Sequence, residues 1–343
     1  MTLKQELEIL LGEPIKPFEG DPIDIPCVET SDPDKLCKHP VVSVHMVTYN
    51  HEPYIRQAIE GVMMQKTDFE FELVIGEDCS QDKTREICLE YQKRYPDKIR
   101  VLWWHENVTK YGGNGRRVTA HCRGDFVAFC EGDDYWIDPL KLDKQIKLMK
   151  ASDCVGCVAF NKILKMDGTF EDNVYVGKEV VGSPDFFSHY FHTSTYLFSR
   201  QMFHEMKVHY NQIPYWYDTM MFHCMADMGK IALLPETVSV RRVTGKGIAT
   251  SLTSQGYVIL QLKQYIPLYL YGPRKYKARF AMAILAAVSM FFYKHGDRYS
   301  TSFTVSHKRI MERIFLTVFK HYWFRRYAWG RLFRMIKYRW SKS

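Results

Sequence analysis

The 343-residue chain predicts an α/β fold: a doubly wound, mostly parallel sheet with flanking helices. Three observations lead there. Short apolar runs alternate with stretches of helical periodicity across short links, as right-handed β–α–β crossovers require. Three of the runs end in polar groups, at Tyr49-Asn50, at Asp78 and at Asp133-Asp134, and strand ends of one parallel sheet converge on a single crevice. Hydrophobic content of 46% with 25% charged residues gives such a sheet a core to bury.

Each element follows in order. Residues 1–40 carry prolines at 14, 17, 22, 26, 33 and 40 with little periodicity, which predicts an extended arm laid on the domain. Val41–Val47 predicts a first strand leading into Thr48-Tyr49-Asn50-His51. Ile55, Ile59, Val62 and Met63 then recur at helical spacing, with Pro53 near the helix start. Phe71–Ile75 predicts a second strand, ending at Glu77-Asp78-Cys79-Ser80. Thr84, Ile87, Cys88, Tyr91 and Tyr95 line one face of a helix that Ser80 or Asp82 caps and Pro96 stops. Ile99–Trp104 reads as a third strand, and Gly112–Arg117 (GGNGRR) as a loop leading into another helical stretch.

The fourth strand, Phe126–Cys130, runs directly into Glu131-Gly132-Asp133-Asp134. Three acidic groups within four residues repel one another unless a cation or solvent relieves them. Oxygen-only ligands suit magnesium or manganese, held through one or two carboxylates and substrate phosphates. A solvated acidic turn capping the helix near Pro139 is the plainer reading of the same residues. Convergence with Tyr49-Asn50 and Asp78 at one sheet edge favours the site.

In this order the motifs resemble glycosyltransferase family 2, with the fold called GT-A. Thr48-Tyr49-Asn50 is similar to the end of that family's first strand. Glu77-Asp78-Cys79-Ser80 and Asp82-Lys83-Thr84 are similar to the end of its second, and Glu131-Gly132-Asp133-Asp134 to its metal motif. Tyr135-Trp136 and Asp138-Pro139-Leu140-Lys141-Leu142 resemble a bacterial branch. Tyr217-Asp218, then Gly229-Lys230-Ile231-Ala232 and Leu234-Pro235-Glu236, resemble the later segments. The resemblance covers residues 41–245. It departs from the pattern at Glu77, Cys79, Glu131 and Tyr217, and keeps the key carboxylates.

The resemblance implies a donor that is a nucleoside-diphosphate sugar and a role for each matched residue. Tyr49, Asp78 and backbone near Val47 would contact the nucleotide base. Arg116 and Arg117 lie where the family often has a basic nucleotide-binding residue, with solvated loop arginines as the alternative. Asp133 and Asp134 would hold Mn2+ or Mg2+, with Glu131 assisting. Asp218 would be the general base of an inverting transfer, with a helix N-cap as its alternative. His192-Thr193-Ser194-Thr195 would face the acceptor or the sugar, with a purely structural role as the alternative, and the acceptor would be a glycan or a lipid-linked intermediate of cell-envelope polysaccharide.

The remaining signals bound the setting. No run reaches the roughly 18 apolar residues a membrane span needs; Phe280–Tyr293, the longest, reads as a buried helix. The opening MTLKQELEILLGEP lacks a basic-then-apolar export layout, and nine scattered cysteines suit a reducing compartment, so a cytoplasmic location is expected. Cys154 and Cys157 form one CxxC inside an apolar run, which reads as buried strand.

The net charge of +8 is unevenly spread. Residues 307–343 hold eleven Lys or Arg against one Glu, leaving the rest slightly negative. One apolar stripe there runs from Ile310 to Tyr322 and another from Trp329 to Trp340, both flanked by basic residues. Basic amphipathic helices fit a peripheral anchor on the inner face of the membrane. A helix packed on the protein and a nucleic-acid contact are the alternatives, the last least favoured. The expected organisation is an arm over 1–40, a catalytic domain over 41–245 and a basic helical region over 246–343. A non-catalytic docking module on the same fold is the rival reading, opposed by the intact Asp78, Asp133, Asp134 and Asp218. A nucleotidyltransferase would carry glycine after its first strand, and TYNHEPY has none.

Overall fold

The computed structural model describes residues 2–11, 14, 25–109, 113–182, 185, 189–209, 218–245, 254–272, 274–294 and 305–322. The N-terminal residues differ from the expected extended arm. Leu3–Leu11 is a helix, α1, with Leu3 and Leu10 buried. No proline precedes residue 14, so nothing interrupts the periodic LKQELEILL. The chain divides into two units: Gly20–Val208 with Met221–Gly247, and Met1–Glu19 with His209–Met220 and Ile248–Ser343.

The first unit is built on one sheet. Its strands are β1 (Val28–Thr30), β2 (Val42–Thr48), β3 (Phe71–Glu77), β4 (Ile99–Trp103), β5 (Phe126–Phe129), β6 (Tyr135–Trp136), β7 (Gly156–Leu164), β8 (Phe170–Asn173), β9 (Val180–Val181), β10 (Leu197–Ser199) and β11 (Ile231–Arg242). Their order is β1-β4-β3-β2-β5-β10-β7-β11-β6, with β8 beside β7 and β9 beside β11. β4, β3, β2 and β5 run parallel, as do β7 and β11. Every residue of β3, and all of β2 except Val47, is buried, which is why these strands read as continuous apolar runs.

Helices cover the faces. Among them are α2 (Ile55–Met63), α3 (Thr84–Arg94), α4 (Asn114–His121) and α5 (Lys141–Ser152). Ile55, Ala58, Ile59 and Val62 of α2, Ile87 and Cys88 of α3, and Leu142, Ile146 and Met149 of α5 join Val44, Met46, Leu73 and Ile75 in one core. The expected buried strand at the CxxC holds: Cys157 is buried on β7, and Cys154 and Cys157 are both free thiols.

Two features of this topology place the site. Chain order reverses at β2, with β3 and β4 on one side and β5 on the other, and such a switch point opens a crevice beyond the strand ends. The short β6 then turns back against β11, pairing Trp136 with Ser239 and Tyr135 with Val240. Trp136 is locked there, its Nε1 donating to the carbonyls of Phe129 (3.2 Å) and Ser194 (2.9 Å). Gly61 of α2 passes so close that a Cβ would lie 2.9 Å from the Trp136 backbone. Lys141, fully buried, donates to Gln145 Oε1 at 2.8 Å with its Nζ 4.1 Å from the Trp136 ring centroid. The DPLKL motif thus buttresses the strand beyond the acidic turn.

After β10 come α6 (Gln201–His209) and α7 (Asp218–Met228). The second unit gathers α1 with α8 (Ser254–Tyr271), α9 (Lys277–Lys294) and α10 (Val305–Tyr322). Here the structure corrects the membrane expectation for the first basic stripe. Ile310, Met311, Ile314, Phe315 and Val318 are buried in a core with Leu3, Leu10, Leu262, Ile284 and Val288. Arg313 pairs with Glu6 of α1 at 2.6 Å. The stripe is covered by protein, as in the packed-helix alternative. The second stripe, Trp329 to Trp340, lies outside the described residues. Among the described residues no helix is long and apolar enough to cross a membrane.

Candidate active site

The loops after β2 and β3 are sewn together before any ligand is considered. Asn50, at φ 55°, receives Gln81 N–H on its side-chain oxygen (2.8 Å), and its own N–H donates to Ser80 Oγ (2.9 Å). His51 N–H donates to Thr84 Oγ1 at 2.8 Å and Glu52 N–H to Asp82 Oδ2 at 3.1 Å. Tyr49 is left pointing outward, 42% exposed. An aromatic ring on a rigid strand end suits a stacking platform.

Glu77 and Asp78 turn inward. Glu77 accepts from Ser80 N–H (2.6 Å) and from Arg85 Nε (2.5 Å), so it shapes the turn. Asp78, 1% exposed, accepts from Val108 N–H on one oxygen (2.6 Å) and from Thr109 N–H and Oγ1 on the other (3.2 and 2.5 Å). Its carboxylate clamps the segment after β4. Arg117 holds the same segment from α4, donating to Gly113 O (3.1 Å) and reaching Val108 O (3.5 Å). Arg116 and Arg117 are therefore buried helical residues, which excludes the solvated-loop alternative. A helix rather than a loop begins at Asn114, so the guanidinium groups turn inward.

The acidic turn is fixed by its glycine. Gly132 N–H donates to the Val47 carbonyl at 2.9 Å, giving that carbonyl a structural partner. A Cβ on Gly132 would fall 2.7 Å from Thr48 Oγ1 and 2.8 Å from His51 Nδ1, so only glycine fits. Beyond it, Asp134 is 3% exposed, with Oδ1 accepting Arg242 N–H at 2.7 Å and Oδ2 3.6 Å from His192 Nε2. Donor atoms of Glu131, Asp134 and His192 all lie within 4.8 Å of one another. Asp133 stands outside that set, with its charge acting on His51.

Electrostatics fit a cation here. Burial, then the charges of Asp133 and Glu131, hold Asp134 well above the usual carboxylate range. Burial first, and then the charge of Arg241, lower His192 to about 3, so its ring is neutral. His192 Nδ1 accepts the Ser194 backbone N–H at 3.3 Å and lies 2.8 Å from Ser194 Oγ, itself 2.9 Å from Ser239 Oγ. His192 thus faces the acidic turn.

Arg242, absent from the sequence candidates, ties the turn to its surroundings. Its Nη1 donates to the Asp133 carbonyl at 2.8 Å and its Nη2 to Gln57 Oε1. Its guanidinium carbon lies 5.2 Å from the Tyr54 ring centroid and 4.5 Å from that of Tyr135. The only sequence signal was a pair of arginines at the end of an apolar strand. Asp218 is the first residue of α7, and its side chain lies outside the described residues, as do Tyr215-Trp216-Tyr217.

Comparison with known proteins agrees with this architecture. Residues 43–206 match the family described as Glycosyl transferase family 2. An uncharacterised protein of Mycobacterium bovis is 31% identical over 211 residues, 60% of this chain and 60% of its own length. TuaG of Bacillus subtilis, named for teichuronic acid biosynthesis, is 32% identical over 130 residues, 38% of this chain and 50% of that protein. Among solved structures, Staphylococcus aureus TarS residues 1–349 in complex with UDP-GlcNAc superimposes with a TM-score of 0.57. The superposition covers 81% of this chain and 80% of that one at 17% identity, a likeness of fold.

Proposed function

With residues 43–206 forming a family 2 glycosyltransferase domain of GT-A fold, we propose that this enzyme moves a sugar from a nucleoside-diphosphate donor to a glycan or lipid-linked acceptor of the cell envelope. The observation that carries this reading is the Glu131, Asp134 and His192 set at the switch point between β2 and β5. Tyr49 and Asp78 end the strands beside it. The name of TuaG supports the envelope setting.

Each residue then has a task. Tyr49 offers its exposed ring to the base, and Asp78 keeps the adjoining wall in shape through Val108 and Thr109. Glu131 and Asp134, with Asp133 close by, would hold a divalent cation, which when bound would supply Lewis-acid stabilisation of the departing diphosphate, worth several kcal/mol. Arg242 holds the acidic turn against β11. Asp218 accepts the proton of the attacking acceptor hydroxyl, a role worth about 10²- to 10⁴-fold in rate. Direct displacement by that hydroxyl inverts the anomeric centre, and no protein nucleophile is needed.

A thermal-shift screen of nucleotide sugars, with and without manganese, tests the reading. One donor at about 100 times its dissociation constant adds about 2.7 kcal/mol of stability. A shift that requires manganese and fails with Asp134→Asn is the expected result. No shift with any nucleotide sugar in either condition would remove the basis for the proposal.

A further inference from the structure

We propose that Lys141 is a positioning residue of the candidate active site: through the Gln145 amide and the Trp136 ring, its buried amine sets the spacing between the acidic turn and the turn that carries His192. The proposal rests on the sugar-transfer reading only for the reaction that this site serves.

Lys141 lies at one side of a closed ring of contacts. Its Nζ donates to Gln145 Oε1 at 2.8 Å, and Gln145 Nε2 donates in turn to the Thr195 carbonyl at 2.8 Å. On its other flank Nζ stands 4.1 Å from the centroid of the Trp136 ring, whose Nε1 donates to the Ser194 carbonyl at 2.9 Å. Ser194 and Thr195 belong to the single turn Thr193–Thr195, and His192 is bound into it by accepting the Ser194 N–H. Trp136 follows Asp134 by two residues, and Asp134 Oδ2 faces His192 Nε2 across 3.6 Å. The amine thus stands opposite the acidic turn on the same ring, and it holds both arms.

Gln145 is the joint that needs the amine. The two ends of an amide are alike in shape, so its partners decide which end carries the oxygen. The Thr195 carbonyl requires the N–H end, and a donor at Lys141 takes the other. Without that donor, the buried Oε1 loses its partner and the amide is no longer held between two opposed groups.

The choice of residue works against stability. Lys141 is fully buried, and among the described residues no carboxylate is ion-paired with it. The titratable groups that face it are Cys157 on β7, Cys130 just after β5, and Asp138, whose carboxylate is engaged by Lys144 at 2.9 Å. Burial lowers the amine to about 7 against the opposing effect of those three groups. Methionine, of similar length and unbranched, would fill the space without burying a titrating amine. What lysine adds over methionine is the donor.

The test uses the full chain and two variants. Lys141→Met is closest in length, whereas Lys141→Gln is shorter and keeps an N–H to offer Gln145 Oε1. A packing role favours methionine and a positioning role favours glutamine, so the two predict opposite orders. With ¹⁵N-labelled histidine, the His192 ring signal, identified by its loss in His192→Gln, should move in Lys141→Met and stay in Lys141→Gln. Hydrolysis of uridine, guanosine and thymidine diphosphate sugars with Mn2+ should fall at least about tenfold in kcat for Lys141→Met, with KM little changed, and by less than about threefold for Lys141→Gln. Labelling with ¹³C-lysine should show one ε-carbon of wild type titrating near 7, a readout that requires no variant to fold.

Lys141→Met with the His192 signal and turnover of wild type, or Lys141→Gln impaired as much as Lys141→Met, overturns the proposal. So does a Lys141→Met protein that fails to fold, which would make the amine a structural need. A wild type in which every lysine titrates near the ordinary 10.5 would place the amine in solvent and overturn it as well. If the His192 signal follows the expected order while wild type hydrolyses no nucleotide sugar, the positioning stands and the sugar-transfer reading fails.

Discussion

Asp134 shows how one buried carboxyl can oppose folding. Its carboxyl is held above the ordinary value first by burial, then by Asp133 and Glu131. A group with a raised folded-state pKa favours the fold while protonated. That contribution fades as pH climbs from the unfolded value of 3.8 through the raised one. Metal-free protein should therefore lose stability over this window, and Asp134→Asn should flatten the loss. Thermal melts taken upward from the unfolded value read this directly. With manganese the order should invert, wild type gaining and the variant not. A metal-free variant that melts below wild type throughout would refute the account. Cys79 carries a different strain. It occupies φ 62° where the resembled family has glycine, and a left-handed non-glycine residue costs about 1–2 kcal/mol. Cys79→Gly should be neutral to mildly stabilising in urea unfolding, whereas the β-branched Cys79→Val should cost more than 1 kcal/mol. Equal stabilities for the two variants would mean that the turn relaxes. The departure from glycine was visible in the sequence, but its meaning required the backbone angle. Likewise the sequence singled out Asp78, yet not its bonds to Val108 and Thr109, because nothing in a one-dimensional pattern marks which distant N–H a carboxylate meets.

At the scale of elements, the parallel half of the sheet was legible and the antiparallel half was not. β2, β3, β4 and β5 announce themselves as apolar runs ending in polar groups, since strands buried on both faces need apolar residues throughout. β6 is two residues long, and β10 is three. Segments that short carry no period, and their pairing with β11, β5 and β7 is a long-range fact. That pairing is what brings Arg242 and His192 to the acidic turn. Arg242 joins three elements at once: β11 that bears it, the turn whose Asp133 carbonyl it binds, and α2, whose Gln57 meets its Nη2. A lysine keeps the charge and loses the fork and the planar stacking on Tyr54 and Tyr135. Arg242→Lys should thus weaken manganese binding by about tenfold while the melting temperature moves only a few degrees. Unchanged affinity, measured by Mn2+ titration, would show that the turn holds its shape without the clamp.

For the molecule as a whole, sequence reasoning read the fold of the sheet better than the surroundings of the later helices. The stripe on α10 was rightly read as amphipathic, but periodicity does not say whether protein or lipid covers an apolar face, and here α1, α8 and α9 do. Asp218 poses the opposite problem: its place at the start of α7 suits both a helix N-cap and the proposed base. One substitution separates the two roles. Asparagine is nearly isosteric and caps a helix about as well as aspartate, so an N-cap role predicts little change in stability or turnover. It cannot take a proton from an acceptor hydroxyl, so a base role predicts that kcat falls by about 10²-fold or more. Donor affinity and melting temperature should be unaffected in both cases, which confines the difference to the chemical step. Turnover of Asp218→Asn near that of wild type, with donor and acceptor saturating, would assign the proton to another group.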